Sequence, residues 1–251
     1  MIDRRKFLLC TTALIAGVQR SAQAASMPPI RMAYFENYPP FSFRDSNGQM
    51  TGVLIDSMEL IGRAVGMTFT HQGYPWVRAQ ALVESGSLDA FCTTVTEARQ
   101  AYVEFCQTPV ITEHFGIYHR VDDKRMLHLH SVQDLRPFMQ GNYRGAGYPM
   151  QHLEPEYIHW YKDEETILRM IDSGSLDIFI EGELVTHYML KELGLTHRIQ
   201  FTPAPYLPVA EFCFGLRRTY PDAAAVLAKM EVAASAARKS GALDNLLNKY
   251  R

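Results

Sequence analysis

The sequence predicts an α/β protein of two similar lobes, each a mostly parallel sheet flanked by helices, with a cleft between them. Three observations predict this. A nine-residue phrase occurs twice: Val83-Glu84-Ser85-Gly86-Ser87-Leu88-Asp89-Ala90-Phe91 returns as Ile171-Asp172-Ser173-Gly174-Ser175-Leu176-Asp177-Ile178-Phe179. Each copy stops a helical pattern at a Gly and opens an apolar, β-prone run, which is how a helix hands over to a buried strand. Runs of helical period alternate with such strand-like runs along the chain, the order that builds α/β layers. Two widely spaced copies also differ from a solenoid, which repeats many times at a short period. A cleft between two lobes is where small molecules bind.

Taken in order, Ile30 to Tyr34 reads as a strand, broken by Tyr38-Pro39-Pro40-Phe41, where two prolines remove donors and hold the chain extended. Asp45-Ser46-Asn47-Gly48 is a turn between strand-like pieces. Leu54, Met58, Ile61 and Val65 recur at helical spacing up to Gly66. Met67 to His71 is a strand, Val77 to Glu84 a helix and Leu88 to Thr93 a strand; a short helix starts near Glu97 and another strand near Val110. Leu127 to Ser131 reads as extended, and Gly141, Gly145 and Gly147 punctuate a loop-rich stretch. Glu164 to Ile171 is helical, Leu176 to Ile180 a strand, and Glu183 to Leu193 a helix ending at Gly194. After a proline-marked loop (Pro203, Pro205, Pro208) come a strand from Glu211 to Arg217 and helices from Asp222 to Arg238 and Leu243 to Tyr250.

Residues 1–24 read as a cleaved export signal. Arg4, Arg5 and Lys6 precede a short apolar stretch from Phe7 to Val18, and Ala22-Gln23-Ala24 supplies the small residues of a cleavage site. Asp3-Arg4-Arg5-Lys6-Phe7-Leu8-Leu9 also resembles a twin-arginine signal, leaving the Sec and Tat routes both open. The mature chain of about 225 residues suits one or two domains. Without the signal it keeps 21 basic and 26 acidic residues, a net charge of −5. That charge offers no general attraction to nucleic acid or anionic lipid. A monomer in the periplasm is expected. Cys92, Cys106 and Cys213 remain after cleavage, all in apolar contexts. They read as buried small hydrophobes, with a Cys92–Cys106 bridge as the alternative.

The order of these pieces resembles the family 3 extracytoplasmic solute-binding proteins, the type II periplasmic receptors of ABC importers, from about Ile30 to Arg251. Five stretches carry the resemblance: Tyr38-Pro39-Pro40-Phe41-Ser42-Phe43, Gly52-Val53-Leu54-Ile55-Asp56, Gly86-Ser87-Leu88-Asp89-Ala90, Thr96-Glu97-Ala98-Arg99 with Val103-Glu104-Phe105, and Phe214-Gly215-Leu216-Arg217 with the helices ending at Lys249-Tyr250. It implies a first lobe of residues 25–115 plus 212–251, a second of 116–211, and a hinge where the chain crosses twice. It implies capture of a small polar solute, an amino acid or another small carboxylate, for delivery to an ABC permease, with no cofactor and no catalysis. Two other readings remain open. A few relatives on this scaffold are dehydratases of cyclic carboxylic acids, and others sense ligands for a membrane partner.

The resemblance makes Arg99 the anchor of a ligand carboxylate. Arg in the first turn of a helix is locally unfavourable unless an anion reverses the sign, and a guanidinium offers carboxylates a bidentate fork. Read without the resemblance, Arg99 is more simply a solvated surface residue. Tyr38 and Trp76 match aromatic positions that sandwich the ligand, and Thr94 matches a hydroxyl that donates to it; core packing is the competing reading for each. In the second lobe Gly145-Ala146-Gly147-Tyr148 stands where relatives have Gly followed by small hydroxyl residues, so Gly147 and Tyr148 are candidate contacts. The Asp that pairs the ligand amine in amino-acid binders is Gly182 here, flanked by Glu181 and Glu183, and an upstream acidic position is Phe35. Either Glu substitutes, or the ligand has no α-amine. His128-Leu129-His130 would put two imidazoles on one strand face, but no third metal ligand is evident and no metal is expected.

Overall fold

The computed structural model describes residues 28–250, so the export signal expected at residues 1–24 lies outside the described residues. The first sheet starts with β1 (Ile30–Phe35), followed by a three-stranded ribbon of β2 (Asn37–Tyr38), β3 (Ser42–Arg44) and β4 (Met50–Thr51). Helix α1 (Val53–Ala64) lays Val53, Leu54, Met58 and Ile61 on the sheet, the helical spacing of its apolar residues. Then come β5 (Phe69–Tyr74), α2 (Trp76–Glu84), β6 (Ala90–Thr94), α3 (Glu97–Gln100), β7 (Val103–Phe105) and β8 (Ile111–Glu113).

The second sheet takes over at β9 (Phe115–Arg120), one residue after β8. It continues through β10 (Gln140–Tyr143), α4 (Gly147–His152), β11 (Ile158–Tyr161), α5 (Glu164–Asp172), β12 (Ile178–Gly182), α6 (Glu183–Glu192) and β13 (Ile199–Pro203). The chain then returns to the first sheet as β14 (Ala210–Arg217) and closes with α7 (Ala223–Lys239) and α8 (Ala242–Leu247).

The two sheets share one plan. Strand order is β5-β1-β6-β14-β7 in the first, with β8 also on β14, and β11-β10-β12-β9-β13 in the second. Both are mixed, which corrects the expectation of mostly parallel sheets. β5-β1-β6 and β11-β10-β12 pair in parallel, whereas β14 and β9 run antiparallel to their neighbours. The reason is directional. The parallel strands end at the gap between sheets, with Phe35, Thr94 and Tyr143 facing it, while Phe115 and Phe212 lie at the gap-side starts of β9 and β14. A strand that enters a sheet from the gap must run away from it, against the others.

The repeated phrase folds the same way twice. Gly86 and Gly174 both sit at φ +76°, the left-handed turn that ends a helix without the Cβ penalty. Leu88 N–H donates to Leu82 O and Leu176 N–H to Met170 O. Asp89 Oδ2 accepts from Arg31 N–H at 3.0 Å, and Asp177 Oδ2 from Met139 N–H at 2.8 Å, so each Asp pins the start of the neighbouring parallel strand. β6 and β12, the strands the phrase introduces, hold the same rank in their sheets.

One expectation is corrected, and the alternative reading of the cysteines is set aside. Residues 127–131 are not a strand: Arg125–His128 forms a 3₁₀ turn, and the N–H groups of His130 and Ser131 donate to Asp134, whose capping box starts another turn. No Cys92–Cys106 bridge exists, and all three described cysteines are free and buried. Cys92 pairs with Phe214 on β14, and Cys106 N–H donates to Phe214 O from the other side. With a strand between them, they lie two strand spacings, about 9.5 Å, apart, beyond the reach of a disulfide.

Candidate functional site

The gap-side ends of both sheets enclose a narrow cleft, and Arg99 lies in it. β6 ends at Thr94, and Thr96 then caps α3 by accepting Arg99 N–H at Oγ1. This short turn aims the Arg99 side chain back across the strand end, where only 2% of the residue is exposed. Nη1 donates to Thr94 O at 2.8 Å and Thr94 Oγ1 at 2.6 Å, and Nε to Gln80 Oε1 at 3.0 Å. Nη2 makes only a 3.4 Å contact to Gly145 O, across the gap. These four bonds use four of the five guanidinium hydrogens, so Nη2 is the nitrogen left to bind elsewhere. Every acceptor is neutral, and among the described residues no carboxylate pairs with Arg99. Burial lowers its pKa to about 10, so it remains a cation at neutral pH. Trp76 lies under the guanidinium at 5.1 Å. From across the gap Gly147, the first residue of α4, comes so close that a Cβ there would sit 2.9 Å from Cζ, Nη1 and Nη2.

Aromatic rings make up most of the remaining wall. Phe35, at the end of β1, stacks on Tyr38 at 5.7 Å and Trp76 at 6.4 Å and meets Tyr143 of β10 at 5.8 Å. Tyr148 stacks on Phe115 at 3.8 Å, and its hydroxyl donates to Pro208 O. Thr94 accepts from Arg99, which leaves its own hydroxyl hydrogen free to donate.

Behind this wall lie two buried acids, Glu181 in β12 and Glu164 at the start of α5. Glu181 Oε1 accepts Tyr38 O–H at 3.2 Å and its neighbour's Gly182 N–H at 2.9 Å. Burial pushes its pKa up to about 7; the Glu113 carboxylate adds to the rise, while bonds from Gly182, Tyr38 and Tyr143 oppose it. Glu164, first in α5, is pushed well above the usual range by burial and then by Glu181, and its Oε1 is buried without a hydrogen-bond partner. Neither acid has a cationic partner within ion-pair distance among the described residues.

The structure therefore gathers Arg99, Trp76, Tyr38, Thr94, Gly147 and Tyr148 around one cleft, with Glu181 one ring behind it. Glu183 is not brought there: it is exposed and faces a separate depression with His114 and His187. Among the described residues no three His, Cys, Asp or Glu side chains are grouped to hold a metal.

Residues 30–251 match the family of bacterial extracellular solute-binding proteins, family 3. The chain belongs to that family. Solved structures agree on the fold. A histidine kinase sensor domain with similarity to periplasmic binding proteins aligns with TM-score 0.74 and 20% identity, over 88% of this chain and 95% of its own. An ancestral arginine-binding protein bound to arginine aligns with TM-score 0.73 and 18% identity, over 88% and 97%. The ancestral amino acid-binding protein AncCDT-1, a precursor of cyclohexadienyl dehydratase, aligns with TM-score 0.71 and 21% identity, over 88% and 94%. No curated protein is a match. Among the described residues, no helix of this family 3 protein is long and apolar enough to cross a membrane.

Sequence reasoning missed four residues at the site: Gln80, which orients Arg99; Tyr143 and Phe115, which complete the aromatic wall; and Glu164. Glu164 carried a signal, because it lies on the helical stripe of Ile167, Leu168 and Ile171 that α5 buries. An acid on a core stripe is a buried acid. Tyr143 and Phe115 carried none, since their place at the gap depends on which sheet their strands join.

Proposed function

We propose that this family 3 protein captures a small carboxylate outside the cytoplasm by closing its two lobes over it and delivers it to the permease of an ABC importer. The observation that carries this reading is Arg99: a buried guanidinium in the cleft whose hydrogen bonds all go to neutral groups. A buried cation without a counter-charge is costly, and an anionic guest offsets that cost. In this reading Nη2 holds the carboxylate, Trp76 and Tyr38 flank the guest, Thr94 donates its free hydroxyl hydrogen, and Gly147 lets the second lobe close against the guanidinium.

Titration calorimetry of the mature protein against amino acids and small organic acids tests it. A ligand should appear in that set, and Arg99→Ala should weaken it at least 30-fold, about 2 kcal/mol, the loss expected for a hydrogen bond to a charged group. Unchanged affinity in Arg99→Ala defeats the assignment. One observation favours a second reading, a dehydratase-like activity: Glu181 titrates at about 7, where it could act as a general acid. Product formation during the same titrations would replace the receptor reading with that one. A sensor partner in place of a permease would leave the binding step unchanged.

A further inference from the structure

The charge pattern of the cleft restricts its guest further. Arg99 is the one Asp, Glu, Lys or Arg that lines it. The rest of the wall is aromatic, small or, at Leu54, aliphatic, and among the described residues no acid takes part. The nearest acid, Glu181, has its cleft-side oxygen engaged by Tyr38 O–H and Gly182 N–H. The acids upstream and downstream of the cleft do not replace it: position 35 is a Phe packed among three rings, position 182 is a Gly against Glu113, and Glu183 is exposed elsewhere.

Aromatic faces are a second way to hold a cation. Here they are largely spoken for. Trp76 already lies beneath the Arg99 guanidinium at 5.1 Å, and the rings of Phe35 and Tyr38 are stacked on each other. An amino acid would bring an ammonium into this site beside a buried guanidinium, with no anion but its own carboxylate. Like charges a few ångströms apart in a dry cleft repel strongly. A guest with one negative charge and a flat apolar body meets no such cost, because its charge matches Arg99 and its body matches the rings.

Resting on the carboxylate reading above, we propose that the protein selects monocarboxylates that lack an ammonium group and carry an aromatic or other flat apolar body, and discriminates against the corresponding amino acids. Selectivity then comes from omission: the site has an anion anchor and no ammonium anchor.

Matched pairs test this in calorimetry on the wild-type mature protein at pH 7. 3-Phenylpropanoate is compared with phenylalanine, and 4-methylpentanoate with leucine. The members of each pair differ only in the amine. The aromatic acid should bind at least tenfold tighter than phenylalanine, and lose that binding in Arg99→Ala. Equal or tighter Arg99-dependent binding of phenylalanine or leucine overturns this selectivity while leaving the carboxylate reading intact. Binding of any of them that survives Arg99→Ala overturns the carboxylate reading itself, whereas no binding in either series overturns the proposed selection and leaves that reading to the wider set of organic acids. Phe35→Glu supplies an acid at the cleft wall; it should shift the preference toward phenylalanine, and an unshifted preference counts against the proposal.

Discussion

At the residue scale the chain buries ionisable groups of both kinds, one basic and two acidic. Arg99 is held in the cleft by Thr94, Gln80 and Gly145, all neutral. Glu181 and Glu164 are buried side by side without a cation in reach. Their pKa values are raised by burial, so the folded protein holds protons that the unfolded chain releases. A carboxyl of this kind contributes stability that is present below its unfolded pKa near 4.5 and is lost as pH rises through about 7. We expect thermal stability to carry such a loss between pH 5 and pH 8, on the order of 3 kcal/mol for Glu181. His119 and His152, whose pKa values burial lowers, act in the opposite sense over the lower part of this window. Comparison with Glu164→Gln isolates the acids: its melting temperature relative to wild type should rise steadily from pH 5 to pH 8. A difference that stays constant with pH would show that the pair does not titrate there. The sequence made Arg99 legible through its motif. It made Glu181 legible only as one of two flanking acids, because residues two apart share a strand face, and they part here only because β12 ends at Gly182 and α6 starts at Glu183.

Among elements, the repeated turn is the unit that sets both sheets. Gly86 and Gly174 take the same left-handed conformation, and Asp89 and Asp177 pin equivalent strand starts. Gly86→Ala and Gly174→Ala should each cost about 1–2 kcal/mol, the penalty of placing a Cβ in that region. A Cβ at Gly174 would also lie 2.6 Å from Arg120 Nη1, but that side chain is largely exposed and can swing aside, so the two costs should be similar. Being in different sheets, they should add in the double variant, which denaturant midpoints will show. Helices α1, α2, α5, α6 and α7 were legible because their apolar spacing and Gly stops are local signals. β7, β10, β11 and β13 were not, since strands of three to five residues carry too few alternations to stand out. The 3₁₀ turn at Arg125–His128 was misread because its residues suit an extended chain equally well.

Over the whole molecule, the two sheets meet through β9 and β14, the strands that cross between them, and through contacts across the gap: Tyr38 to Glu181, Gln80 and Arg99 to Gly145, and Glu97 N–H to Gln151. With the ring contacts of Phe35 and Tyr38 to Tyr143 they form a small, mixed set, as suits a closed state in exchange with an open one. If the crossings act as a hinge, a bound guest should shift the population toward closure, and small-angle scattering should give a smaller radius of gyration at saturation than without ligand. Tyr38→Phe, which removes the bond to Glu181, should enlarge the ligand-free value. No change in either comparison would mean the two sheets form one rigid body. By itself the sequence determined the α/β alternation, the twofold plan, the family and the guanidinium at its motif, because periodicity, Gly stops and short motifs act over neighbouring residues. Only the tertiary structure decided that the sheets are mixed, that Cys92 and Cys106 stand apart, that Glu183 faces away, and that Phe35 and Tyr143 line a cleft whose described wall holds no acid. Those outcomes depend on strand direction and on which distant segments meet, and no local stretch of chain encodes either.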